Sequence, residues 1–494
     1  MAKIHLINAT SWRSSSPTQL LIENGRVVEG STEGAEVVDL RGRILAPKFV
    51  DNHCHILPTG LDLNKPQLAG LTSKSTVLDA LSRAARERPN GWLHAVRYDP
   101  TALPEGEALT GADLDKIATD RPILVRYVSG HASVGNAAAF AAARVHRGTP
   151  DPEGGIYERD ASGRLTGVAT EDAHETLTAA MPTPTVEEMT DAILAAGRSM
   201  AGYGIGTASD MMTGRFDLLN ELVAYRRAAE LGNPIRVRLW VQWRDVFGRR
   251  GIGADRLLEL AGEMDETMVA LRGIKIFADG AIGSGTAAIY GQYQGDGSGG
   301  QKISTGGLTL GGDKSGQLIY APERLTAMTV EASRAGFGVA VHAIGDYAAE
   351  LVMDAFEATG DPSRHRLEHA MLLSDAQIER LARLNPYVTF QPEFLAHFGH
   401  LYRRQLGEAR ARTLIRARSV RDAGLRISLS SDRPIVEGDP RVGMRAITER
   451  PDGGERLTEA EALLGTTSWG AEANGDAGLV GSLAPGEMAD WQPL

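Results

Sequence analysis

The chain has 494 residues, enough for one large α/β barrel carrying insertions and too many for a single simple core. Its 52 Lys and Arg against 63 Asp and Glu leave a net charge of −11 with no basic tract, which argues against nucleic acid as a partner. The opening Met1-Ala2-Lys3-Ile4-His5-Leu6-Ile7-Asn8 lacks the pattern of a secretory leader and no apolar run reaches membrane-spanning length, so a cytoplasmic protein without membrane attachment is expected.

In chain order, residues 20–30 hold two short apolar runs around Asn24-Gly25, a hairpin signal. Residues 36–40 and 43–45 read as further strands, and residues 481–491 have the same turn-rich β character. Both termini, residues 1–47 and 477–494, are therefore expected to build one small β-sandwich domain. Between them, apolar β-type runs alternate with helical patterns: 49–55, 204–210, 235–241, 273–279, 338–342, 365–369, 387–391 and 426–432. Eight such runs, with helices predicted over 186–203, 322–335, 347–359 and 374–384, predict an α/β fold, a distorted TIM (β/α)8 barrel spanning residues 48–476. An insertion from about 57 to 185 is far longer than an ordinary βα loop and is expected to cap the catalytic face. The glycine-rich stretch 294–316 is followed by no Gly-Lys-Ser/Thr and no helix start, so it reads as a mobile flap and not as a phosphate cradle.

The first barrel run, Leu45-Ala46-Pro47-Lys48-Phe49-Val50-Asp51-Asn52-His53-Cys54-His55, ends in two histidines one residue apart. Strand alternation turns His53 and His55 to one face and Cys54, the one cysteine, to the other as an apolar filler. By itself such a pair fits a surface or core role equally well. Other runs, however, also carry a potential ligand at or near their ends: Lys275, His342, His369 and Asp432. Barrel enzymes collect their sites at the carboxyl ends of the strands, and imidazoles with a carboxylate suit Zn²⁺ or a similar divalent ion.

The order His-x-His, Lys, His, His, Asp resembles the amidohydrolase superfamily. Within it the chain is similar to amidohydrolase family 3, the branch with YtcJ-like proteins and N-substituted formamide deformylases. Further pieces carry the likeness: Asp120-Arg121-Pro122-Ile123-Leu124-Val125-Arg126, Ser129-Gly130-His131-Ala132, Ile274-Lys275-Ile276-Phe277-Ala278-Asp279-Gly280, Val341-His342-Ala343-Ile344-Gly345-Asp346, Arg366-Leu367-Glu368-His369-Ala370, Ser430-Ser431-Asp432 and Gly481-Ser482-Leu483-Ala484-Pro485-Gly486. The resemblance implies one metal on His53, His55 and Asp432 and a second on His342 and His369, with Lys275 bridging as a carbamate. The alternative for Lys275 is a positioning lysine beside a single metal, so one or two Zn²⁺ ions are expected.

The implied activity is hydrolysis of a non-peptide C–N bond in an N-acyl, N-formyl or related small-molecule amide by metal-activated hydroxide. Asp432 would take the proton and return it to the leaving nitrogen, and His131 in the insertion would reach the developing oxyanion or serve as a packing histidine. Asp279 and Arg433 are candidates for substrate binding; Asp279 and Asp346 also suit turn or helix-cap roles, and Arg433 also suits an ion pair. His365, His397 and His400 read as structural. The chain departs from the family pattern at Lys48, usually glycine, at Gly285, usually arginine, and at Arg433, usually small, which leaves room for a different substrate. Hydrolysis of cyclic amides, carbamates or esters, a non-catalytic barrel that only binds, and assembly as a homodimer all stay open.

Overall fold

The computed structural model describes residues 3–14, 16–104, 106–128, 130, 132–152, 155–294 and 315–494. Eight parallel strands stand side by side in chain order: β1 (Phe49–Cys54), β2 (Ile205–Thr213), β3 (Arg236–Gln242), β4 (Val269–Phe277), β5 (Gly338–Ala343), β6 (Arg366–His369), β7 (Tyr387–Phe390) and β8 (Arg426–Leu429). The expected (β/α)8 barrel is present. Its strands read as continuous apolar runs because helices cover one face and the interior fills the other; every residue of β1 and β3 is buried. No ladder joins β8 to β1. The residues just beyond β8 complete the circle instead: Asp432 N donates to His53 O at 2.6 Å, His55 N to Arg433 O at 2.8 Å, and Ser431 N to Asp51 Oδ1 at 3.0 Å.

The outer layer includes α1 (Ile56–Leu63), α2 (Val186–Gly202), α3 (Leu218–Glu230), α4 (Pro322–Arg334), α5 (Asp346–Ala358) and α6 (Asp375–Leu384). Capping boxes start two of them, Thr185 with Glu188 and Ser374 with Gln377. α1 and α2 pack so closely that a Cβ on Gly60 would lie 1.8 Å from Ala192 O, so only glycine fits there.

Between α1 and α2 lies a separate five-stranded sheet of Leu93–Tyr98, Ile123–Tyr127, Ala132–Gly135, Gly155–Arg159 and Leu165–Glu171, with its own apolar core around Leu81, Leu93, Leu114 and Val125. It meets the barrel through the Arg126–Asp62 ion pair and through Arg97 Nη1 to Glu437 Oε2 at 3.1 Å. Asp62 lies in α1, directly after β1, and Glu437 follows β8, so both contacts are at the carboxyl end of the strands. Residues 295–314 of the expected flap, and also His131, lie outside the described residues.

The termini share one six-stranded sheet in which Trp491–Pro493 pairs antiparallel with Ile44–Pro47. Strand Lys3–Ser11 hands over from Glu36–Asp39 to Ile44–Pro47 at an irregularity between Leu6 and Ala9. Asn24 and Gly25 have φ of 55° and 75°, as the tight hairpin turn requires. Leu6, Ile22 and Leu45 from the beginning of the chain pack with Leu483 and Trp491 from its end. Among the described residues, no helix is long and apolar enough to cross a membrane.

Polar side chains close the floor of the barrel. Asp476 takes Arg238 Nε at 2.7 Å and Arg272 Nη2 at 2.7 Å, and Asn474 Oδ1 accepts from Ser209 Oγ at 2.8 Å and Arg366 Nη1 at 3.1 Å. Arg238 and Asp476 are fully buried. Asp476→Ala should therefore strand two guanidinium charges and lower unfolding free energy by about 3–5 kcal/mol, read from denaturant melts.

Candidate metal centre

β1 delivers His53 and His55 to the interior, and each is held from the backbone outward. His55 sits at the N-cap of α1 but makes no capping bond with its side chain. Asp210 of β2 takes over that task, accepting Ile56 N at 2.9 Å and Leu57 N at 3.2 Å through Oδ2, which releases the His55 imidazole. Asp51, two residues before His53, accepts from both the amide and the hydroxyl of Ser431 and so fixes the residue preceding Asp432. Burial pushes the Asp51 carboxyl up to about 6.

His53, His55 and Asp432 form a buried cluster whose ligand atoms all lie within 4.8 Å of one another. Asp432 Oδ1 is 2.9 Å from His55 Nε2 and 3.6 Å from His53 Nε2. A tetrahedral zinc with bonds of about 2.1 Å separates its ligands by about 3.4 Å, so this donor set fits such an ion. Among the described residues His55 Nδ1 is buried with no hydrogen-bond partner. Asp432 and His369 have φ of 61° and 73°, left-handed values that cost non-glycine residues of order 1–3 kcal/mol and gather at functional sites.

His369 and His342 extend the cluster, with ring centroids 4.6 Å between His53 and His369 and 4.4 Å between His369 and His342. His342 Nε2 donates to Gly280 O at 3.0 Å. Lys275 lies between, 1% exposed, its Nζ 3.3 Å from His53 Nε2. Burial holds His53 and His369 far below the usual imidazole range, reinforced for His53 by Lys275 and for His369 first by His342. Both are thus neutral, the form that donates a lone pair to a metal. Burial likewise lowers Lys275 from 10.5 to about 8.

The two expected substrate contacts occupy different surroundings. Asp279 is buried and its carboxylate accepts from Ala288 N, Ile344 N and Gly345 N at 2.8–2.9 Å; burial pushes it up to about 7. These bonds tie the loop after β4 to the end of β5, beside His342 at 3.5 Å, and give Asp279 the loop-supporting role that stood open beside substrate binding. Arg433 turns toward α2, donating to Ser199 Oγ at 2.9 Å with Glu437 Oε1 at 4.0 Å. That buried position, 4% exposed, favours the ion-pair alternative over substrate binding. Asp346 supports Tyr290 N and Arg410, and His365 bonds Val339 N and Thr359. Cys54 donates to Ser209 O at 3.2 Å, a buried thiol pushed up by desolvation. Gly285 has φ of 71°, a left-handed turn position suited to glycine.

Sequence reading missed Glu368, whose Oε2 accepts from His53 Nδ1 at 2.7 Å. A signal was present: Arg366-Leu367-Glu368 puts two opposite charges in a strand that the pattern otherwise buries on both faces.

The fold and this cluster define a parallel α/β barrel with a buried group able to hold a metal ion at the carboxyl ends of its strands. Residues 36–491 match the amidohydrolase family, and the chain belongs to this metal-dependent family. It is 32% identical to YtcJ of Bacillus subtilis (strain 168), which carries the amidohydrolase name, over 94% of this chain and 86% of that one. It is 29% identical to the N-substituted formamide deformylase of Arthrobacter pascens over 99% and 93%. An uncharacterized metal-dependent hydrolase from Pyrococcus furiosus superposes with a TM-score of 0.77 at 26% identity, covering 100% of this chain and 99% of its own.

The depressed Lys275 has a thermodynamic consequence in the metal-free protein. Its folded value lies below its unfolded one, so folding expels a proton between about 8 and 10.5, and wild-type stability rises with pH across that window. Below pH 8 the burial cost is complete, about 3 kcal/mol for this shift. Metal-free Lys275→Met should therefore melt higher than wild type at pH 7, with the gap closing as pH approaches 10.5.

Proposed function

We propose that the chain is a zinc-dependent hydrolase that cleaves the non-peptide C–N bond of a small N-formyl, N-acyl or related amide. The observation that carries this reading is the buried convergence of His53, His55 and Asp432 beside Lys275 at the ends of the strands. The full-length likeness to an N-substituted formamide deformylase supports the substrate class.

His53, His55 and Asp432 would hold one ion, and His342 and His369 would hold a second. The bound metal supplies an acidified water and polarises the scissile carbonyl. The chain's own residues do the rest. Asp432, held by the seam with its carboxylate among the imidazoles, accepts the proton of the attacking water and delivers it to the departing nitrogen. Lys275, with its amine lowered to about 8 by burial, has a neutral fraction able to add CO₂; the N–C bond forms, a proton leaves, and the carbamate offers two oxygens sharing one negative charge in place of an ammonium without a lone pair. His131 is assigned to the oxyanion on sequence grounds. A cytoplasmic location is part of this proposal; among the described residues, no helix is long and apolar enough to cross a membrane.

The test is turnover on a panel of N-formyl and N-acyl amines, cyclic amides, carbamates and esters. Metal-saturated Asp432→Asn should lose about 10²- to 10⁴-fold in turnover while its thermal melting stays near wild type. Wild-type turnover in that variant would exclude Asp432 as the proton carrier. A folded, metal-loaded wild type inert to the whole panel would favour a binding module.

Metal analysis tests the carbamate separately. Two ions per wild-type chain and one in Lys275→Ala are expected, whereas one ion in both would leave Lys275 a positioning residue.

A further inference from the structure

A line of buried polar groups runs from the barrel floor to the proposed ligands. Asn474 Oδ1 accepts from Arg366 Nη1 at 3.1 Å; Arg366 Nη2 donates to Asn52 O at 2.9 Å; and the guanidinium lies 4.7 Å over the Trp240 ring. Arg366 Nε stands 2.8 Å from Glu368 Oε1, and Glu368 Oε2 stands 2.7 Å from His53 Nδ1. Side-chain exposure is 1% for Arg366, 0% for Glu368 and 1% for His53, so solvent does not compete for these groups.

We propose that Arg366 and Glu368 form a tautomer lock on His53, a reading that rests on His53 being a metal ligand. The direction of each bond follows from the groups themselves. A guanidinium carries only donors, and that of Arg366 lies as an ion pair against Glu368 Oε1, which leaves Glu368 Oε2 to accept from His53 Nδ1. The proton of the neutral imidazole then belongs on Nδ1, and the Nε2 lone pair faces Lys275 and Asp432, where a metal would sit. A fully buried ion pair is a poor source of stability, and specifying one arrangement is a better-attested use of it. Arg366 and Glu368 are positioning residues; neither needs to touch substrate.

The lock makes an unusual demand on Glu368→Gln. With Arg366 still present, the amide oxygen must turn toward the guanidinium, which places the amide NH₂ against His53 Nδ1. That ring nitrogen can then only accept, so the proton moves to Nε2 and the lone pair meant for the metal is lost. Removing Arg366 as well frees the amide to turn over.

The experiment reads histidine nitrogen chemical shifts in isotope-labelled, metal-free full-length protein, with His53 assigned by loss of its signals in His53→Gln. Wild type should show the proton on Nδ1, Glu368→Gln on Nε2, and the double variant Glu368→Gln with Arg366→Met on Nδ1 again. Zinc affinity, measured by chelator competition, should fall about 10- to 100-fold or more in Glu368→Gln and recover in part in the double variant. A merely structural role would make the double variant worse than either single change. The lock is overturned by a wild-type spectrum with the proton on Nε2, which needs no variant to fold, or by a Glu368→Gln protein that keeps the Nδ1 proton. Undiminished zinc binding by His53→Ala would instead refute the ligand assignment while leaving the tautomer measurement intact.

Discussion

Everything at the site depends on the seam between β8 and β1. Seven strand pairs of the barrel are ordinary parallel ladders, but the eighth junction is made by Ser431, Asp432 and Arg433 bonding to Asp51, His53 and His55. The residues that close the cylinder are thus the proposed ligands and their immediate neighbours. Closing the barrel and assembling the cluster are one event, and the left-handed backbone at Asp432 persists because bonds on both sides over-determine it. A loosened seam would separate His53 and His55 from Asp432 even if every helix stayed in place.

Below the seam, buried charges are placed by compensation. Arg238 and Arg272 share Asp476 at the floor, and Arg366 and Glu368 pair midway. At Lys275 burial outweighs the opposing pull of the Glu368 and Asp432 carboxylates and drives its amine toward neutrality. The same desolvation keeps His53 and His369 uncharged. Low dielectric serves here as chemistry: it produces lone pairs at neutral pH without a strong base nearby.

The insertion and the terminal sheet stand apart from this logic. Each has its own apolar cluster, and each touches the barrel through a few specific contacts, such as Arg126 with Asp62 and Arg236 with Asp490. Function in barrel proteins lives in sites grafted on the fold, which is why residues that would choose a substrate are harder to read from sequence than candidate ligands at strand ends.

The barrel strands were legible because a strand buried on both faces is apolar along most of its length, and His53, His55, Lys275, His342, His369 and Asp432, at or near the strand ends, stood out against that pattern as candidate ligands. Helix starts were legible for a local reason as well, since Thr185 and Ser374 meet their capping partners within one turn. Other features were not local. Glu368 and His53 are 315 positions apart, Arg366 and Asn474 are 108, and no short-range pattern says which buried acid faces which imidazole. Asp279 and Arg433 follow metal-site residues closely and so resembled substrate contacts, yet the fold turned one to three backbone amides and the other to α2. The sequence by itself determined the strands, their order and the chemical types brought to their ends, because burial and alternation are local demands. Only tertiary structure decided the partner and protonation of each polar group, because these follow from three-dimensional closure and the exclusion of water.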